Sequence, residues 1–213
     1  MSDSKMSDDN TSDERLGIFQ QILTSRVYEV VSETDLDDAK KLSRKLGNHV
    51  QLKREDSLAV HSFKLRGAYN CVAHLDEASQ RGGVIAASAG NHAQGVAYSA
   101  RHLGISARIV MPRTTPEIKL EAVRELGADV VLFGNNFADA KAHCAELCAE
   151  GHETFVDAYD DPLVIAGQGG LTEPDPREDL GGRDVARKLV ILGRMAADGR
   201  LAFHAPMRRA VRQ

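Results

Sequence analysis

Gly83-Val84-Ile85-Ala86-Ala87 is an unbroken apolar run of strand length. It is followed by a helical pattern that puts Ala93, Val96, Ala97, Ala100 and Leu103 on one face. Gly104 ends that pattern, and Ala107-Arg108-Ile109-Val110-Met111 is a second run of strand length. The same unit then recurs. Thr115 with Pro116 behind it predicts a capped helix start, with Ile118, Ala122 and Leu126 on one face and a stop at Gly127. Asp129-Val130-Val131-Leu132-Phe133 predicts a third strand. A helix through Phe137, Ala140, Cys144 and Leu147 ends at Gly151, and Thr154-Phe155-Val156 closes the series. Strands alternating with helices of this length predict right-handed βαβ units, hence an α/β fold with a parallel sheet and helices on both faces.

Upstream, Thr34 with Asp37 three residues on forms a capping box, which predicts a helix through Leu36, Ala39, Leu42 and Leu46 up to Gly47. Val50-Gln51-Leu52-Lys53 alternates like a short strand, and a further helix runs from about Phe63 to Leu75. Residues 1–15 contain two apolar side chains, both Met, too few to offset the entropy of ordering them, and read as a disordered tail. The texture changes again at Gly169-Gly170. A folded region at 16–169 gives way to an acid-, proline- and glycine-rich segment at 170–197, with Val185, Leu189, Leu192 and Met195 at helical spacing, and then to an irregular tail at 198–213.

The 213 residues include 27 Lys+Arg against 31 Asp+Glu, a net charge of −4 that gives no basic footprint for nucleic acid. No apolar run approaches the ~18 residues of a membrane span. The polar N-terminus lacks the apolar core of a secretory signal. Three cysteines make no disulfide framework and point to a reducing cytoplasm. His143, Cys144, Cys148 and His152 complete no zinc-type spacing, so no metal site is expected.

Two features carry chemistry. On the helix from Phe63, Ala68, Cys71, Val72 and Leu75 share one side, while Arg66, Asn70, His74 and Glu77 share the other; Lys64 falls among the apolar set. Burial and the positive end of the helix dipole both push a lysine pKa down, making neutral amine available for Schiff-base chemistry. The alternative is a lysine that snorkels to the surface from the helix end. The second feature is Ser88-Ala89-Gly90-Asn91, which joins the first strand of the series to its helix. Its backbone N–H groups form the mouth of a helix N-terminus, suited to a carboxylate or phosphate. The alternative there is a plain strand-to-helix turn with an Asn cap.

Taken together, Leu52-Lys53-Arg54-Glu55-Asp56, His61-Ser62-Phe63-Lys64-Leu65-Arg66-Gly67-Ala68 and Ser88-Ala89-Gly90-Asn91-His92-Ala93-Gln94-Gly95 resemble the biosynthetic threonine dehydratases, and Val164-Ile165-Ala166-Gly167-Gln168-Gly169 also fits. These are pyridoxal-phosphate lyases of the tryptophan-synthase β-subunit fold. The resemblance implies that Lys64 bears pyridoxal 5′-phosphate and takes the substrate α-proton. It implies too that Asn91 hydrogen-bonds the cofactor's 3′-oxygen and that Ser88, Ala89, Gly90 and Asn91 receive the substrate carboxylate. The implied reaction turns L-threonine, with serine as a second substrate, into its oxo acid and ammonia, a step toward isoleucine. The family forms homo-oligomers. Racemases of the same fold have a serine where this chain has Ala89, which favours elimination.

The glycine-rich phosphate loop of the family, and the Ser or Thr that faces its pyridine nitrogen, are not found downstream. Instead, about residues 171–195, from Leu171-Thr172-Glu173-Pro174 to Gly181-Gly182-Arg183-Asp184-Val185-Ala186-Arg187-Lys188, resemble the homoserine dehydrogenases. That resemblance implies substrate-binding and proton-moving roles for Glu173, Asp179, Asp184 and Lys188; taken alone, Asp184 and Lys188 are an i,i+4 surface pair. Two outcomes are open at this stage: a threonine dehydratase impaired by truncation, or a catalytically inactive fusion of two enzyme pieces.

Overall fold

The computed structural model describes residues 20–169. The expected tails and the segment with Glu173, Asp179, Asp184 and Lys188 lie outside the described residues. Those described divide between two compact units, 33–54 and the remainder.

In the smaller unit, β1 (Leu36–Asp38) pairs antiparallel with β2 (Gln51–Lys53), Leu36 opposite Lys53 and Asp38 opposite Gln51. Between them lies α1 (Lys40–Leu46), closed by Gly47 at φ 59°. The capping box at Thr34 and Asp37 therefore does not start a helix. Arg54 Nη1 takes the Asp37 carboxylate at 2.6 Å, the Ala39 N–H goes to Val50 O at 2.9 Å, and strand pairing claims the residues that local propensity offered to a helix.

The larger unit contains α2 (Lys64–Ala73), α3 (Glu77–Gly82), β3 (Val84–Ala87), α4 (Asn91–Leu103), β4 (Ala107–Met111), α5 (Glu117–Glu125), β5 (Asp129–Leu132), α6 (Phe137–Glu150), β6 (Thr154–Phe155) and α7 (Pro162–Gly169). The strands form one parallel sheet in the order β5-β4-β3-β6, with Ala86 beside Ile109, Ile109 beside Val130 and Ile85 beside Phe155. Side chains alternate across it. Val84, Ala86, Ile109 and Met111 pack with Ala93, Val96 and Ala97 of α4 and Leu120 and Val123 of α5. Ile85, Ala87 and Val110 pack on the opposite side with Ala140 and Cys144 of α6. Helices thus cover both faces, as the alternating pattern predicts.

Three local expectations are corrected. Thr115 does not cap α5: its side chain is buried and its hydroxyl has no partner, while Pro116, at ψ 140°, is extended and the helix starts at Glu117. Its buried face is accordingly Leu120 and Val123, with Ile118 75% exposed. Asp76 starts the unanticipated α3 by accepting the Ser79 N–H at 2.8 Å. Finally, α2 has no polar side, because Leu65 to Ala73 are all buried. Arg66, 1% exposed, pairs through two bonds of 2.8 and 2.9 Å with Glu55. Asn70 accepts the Arg26 N–H and donates to Leu163 O. Among the described residues no helix is long and apolar enough to cross a membrane.

Candidate active site

The sheet order fixes where a site forms. From β3 the chain steps through β4 to β5 by way of α4 and α5 on one face, then returns through α6 on the other face to β6, on the far side of β3. Because β3 and β6 are parallel neighbours, the turns that leave their C-terminal ends lie side by side as the walls of a crevice at that end of the sheet, the usual ligand position in such a fold. Ser88 to Asn91 lie above β3, and Asp157 to Asp160 lie above β6.

The turn over β3 is built from its own serine. The Ser88 N–H continues the sheet by donating to Val110 O at 3.1 Å, and Ser88 Oγ accepts the N–H groups of Gly90 and Ala93 at 3.2 and 3.3 Å. Ser88 is buried and holds the turn, whereas Ala89 and Gly90 are half-buried and Asn91 is exposed. A Cβ on Gly90 would meet no atom within 4 Å, so the space at this point is open to a ligand. Asn91 opens α4, where the first N–H groups of a helix lack intrahelical partners and its dipole favours an anion.

His92 closes the floor of the crevice. It is 4% exposed, and its Nε2 lies 3.1 Å from Val156 O, which as a carbonyl can only accept; Nε2 therefore bears the hydrogen. Nδ1 is buried without a partner. Burial pushes the imidazole pKa below its usual range; the Val156 bond opposes this, and the nearby Lys64 charge adds to it.

Lys64 begins α2, which packs closely on α4. A Cβ on Gly95 would stand 3.1 Å from Lys64 O and 3.2 Å from Ala68 Cβ, so a larger residue would require the two helices to give by a few tenths of an ångström. Lys64 is half-buried rather than free in solvent. Its Nζ donates to Ala158 O at 2.9 Å and lies 4.8 Å from the Tyr159 ring centroid and 5.6 Å from that of Phe63. Burial lowers the pKa of this amine, and the Asp157 carboxylate opposes the shift. The structure thus brings Lys64 and the Asn91 turn to one crevice. Sequence reasoning missed Asp157, Ala158, Tyr159 and the clip made by His92. Lys64 and Ala158 are 94 positions apart, and only the strand order joins them.

An amine of lowered basicity can condense with a carbonyl group, and the open glycine position and exposed Asn91 amide leave room for a polar ligand. The family described as pyridoxal-phosphate dependent enzymes matches residues 27–183, past the change of texture at Gly169-Gly170. The biosynthetic L-threonine dehydratase of Pasteurella multocida is 56% identical over 150 residues, covering 70% of this chain and 29% of that protein. The mitochondrial threonine dehydratase of Schizosaccharomyces pombe is 58% identical over 149 residues, 70% of this chain and 25% of the relative. The processed form of threonine deaminase isoform 2 from Solanum lycopersicum superposes with a TM-score of 0.73 at 48% identity, over 78% of this chain and 49% of that one. The chain therefore spans less than a third of the length of these two curated relatives.

Proposed function

The chain belongs to the pyridoxal-phosphate-dependent enzymes, and on that footing we propose that it works on L-threonine, taking out water and returning it on hydrolysis to leave 2-oxobutanoate and ammonia. The observation that carries this reading is the Lys64 amine, partly withdrawn from water and held by Ala158 O on the turn beside that of Asn91, at the C-terminal ends of β3 and β6. Residues 16–169 are the catalytic region in this reading. The three free cysteines support a reducing compartment, the cytoplasm.

Lys64 would hold the cofactor through its aldehyde, with Asn91 beside the ring. Bound there, the cofactor supplies an electron sink for the charge left at the substrate α-carbon. The chain does the rest. The N-terminus of α4 and the exposed Asn91 amide receive the substrate carboxylate, which orients the α-hydrogen. Lys64, whose pKa is depressed by burial, would serve as the base that removes that proton. Ala89 brings no acid to the turn, so nothing at this position returns a proton to the opposite side, in keeping with elimination rather than racemisation. Ser88 holds the turn rigid while this occurs.

The test is direct. Protein mixed with pyridoxal 5′-phosphate is expected to show a visible absorption band, and borohydride reduction is expected to leave a phosphopyridoxyl group on the Lys64 peptide. Both should vanish in Lys64→Ala. Added threonine should yield an oxo acid detectable as its hydrazone. Protein that stays colourless with excess cofactor overturns the proposal.

A further inference from the structure

The far wall of the crevice is a turn that closes on its own carboxylate. Asp157 follows β6, and its Oδ1 accepts the N–H groups of Tyr159 at 2.7 Å and Asp160 at 3.1 Å. Its other oxygen lies 3.3 Å from Lys141 Nζ on α6, which ties the turn to the helix behind the sheet. The two residues next along the turn are the ones that touch the Lys64 amine: Ala158 by its carbonyl at 2.9 Å, Tyr159 by its ring at 4.8 Å. An Asx-type closure of this kind fixes backbone direction over two residues, and so fixes where that carbonyl points.

We propose that Asp157 is a positioning residue for the Lys64 amine, its carboxylate folding the turn that holds Nζ at the crevice. The consequence for catalysis rests on the reading of Lys64 given above; the placement of the amine does not. An unconstrained lysine at the end of a helix extends its ammonium into water, because a four-carbon stem reaches solvent at little cost. Here a carbonyl and an aromatic face retain it instead.

The charged and titratable groups that face the amine are Asp157 and the Tyr159 phenol on the turn and His92 from α4, with Lys141 of α6 sharing the Asp157 carboxylate. Two substitutions separate the turn from the charge. Asp157→Asn keeps an oxygen that accepts both N–H groups but removes the carboxylate that opposes the effect of burial. Asp157→Ala removes the closure altogether.

Competitive acetylation with acetic anhydride across a pH series, read by mass spectrometry on the Lys64 peptide with the Lys119 peptide as reference, tests the proposal without cofactor. In Asp157→Asn the pH midpoint of Lys64 labelling should fall below that of the unaltered protein. In Asp157→Ala it should rise toward the ordinary lysine value, with faster labelling as the side chain extends into water. Opposite displacements are the signature of a residue that sets both place and charge. Unchanged midpoints in both variants, or displacements in the same direction, overturn the inference. If Asp157→Ala does not fold, Asp157→Glu, which keeps the charge but lengthens the stem that closes the turn, takes its place: faster Lys64 labelling than in the unaltered protein supports the proposal, and an unchanged rate overturns it. Opposite displacements in a protein that never colours with cofactor would leave this placement standing while the proposed activity falls.

Discussion

Lys64 is held in a place that suits an amine and penalises an ammonium. The bond to Ala158 O and the two aromatic faces favour the charged form, yet burial outweighs them and the pKa ends below the usual 10.5. The sign of the effect on stability follows. Between the folded and unfolded values the unfolded chain keeps a proton that the folded one has released, so stability rises with pH across that window and the full penalty applies below it. Lys64→Met should therefore melt at a higher temperature than the unaltered protein at pH 7, with the gain shrinking as the pH climbs toward 10.5. Thermal unfolding of both proteins at several pH values checks this; parallel curves into the alkaline range would show that burial of the amine is not the cause. A residue that costs stability at neutral pH and could be replaced by an apolar one is what a chemical role leads one to expect.

At the scale of elements, α2 is placed by its crossing with α7. A Cβ on Gly67 would lie 2.6 Å from Val164 O, and one on Gly167 would lie 2.6 Å from Asn70 Cβ and 2.7 Å from Arg66 O, so the helices meet backbone to backbone. Gly167→Ala must push them apart and should cost about 1–3 kcal/mol, the usual penalty for overpacking, seen as a lower urea midpoint at unchanged slope. Gly169→Ala is the control: its Cβ would meet only the flexible end of Ile22 at 3.0 Å, and the loss should be smaller. Ala favours a helix over Gly, so propensity opposes any loss, and equal losses in the two variants would mean that the crossing is not what Gly167 serves. This crossing also explains what the sequence hid. Strands were legible because Val and Ile sit in short runs between glycines, and Gly47 and Gly104 mark their helix ends through left-handed backbone at φ 59° and 70°. The polar side assigned to α2 was not legible, because a single helical wheel cannot register the cover over Arg66 and Asn70 supplied by Glu55, Arg26 and Leu163. At Thr115 and Thr34 the local capping signal lost, in one case to an extended proline and in the other to strand pairing.

At the scale of the larger unit, the site depends on two strands adjacent in space but far apart in sequence, whose C-terminal turns lie side by side. Lys64 and the Asn91 turn were legible from the sequence because each is a local anomaly, an amine among apolar residues and a glycine at a strand-to-helix junction. The Asp157–Tyr159 wall was not, since nothing in a short window reveals that β6 returns to the side of β3. His92 spans the two walls, joining the start of α4 to the end of β6 through Val156 O. Its imidazole is buried and kept neutral, with a pKa below the usual 6.5. The unfolded chain therefore takes up a proton first as the pH falls through 6.5, and stability should decline from there down to the folded value. The carboxylates whose pKa is lowered, Glu29, Asp76 and Asp157, act only below their ordinary values of 4.5, 3.8 and 3.8, which separates their window from that of the histidine. His92→Gln can keep a donor to Val156 O but cannot titrate. Melting temperatures between pH 7 and 5 should fall for the unaltered protein and stay nearly level for this variant. A matching decline in both would show that the tie between α4 and β6 does not set the acid limit of the fold.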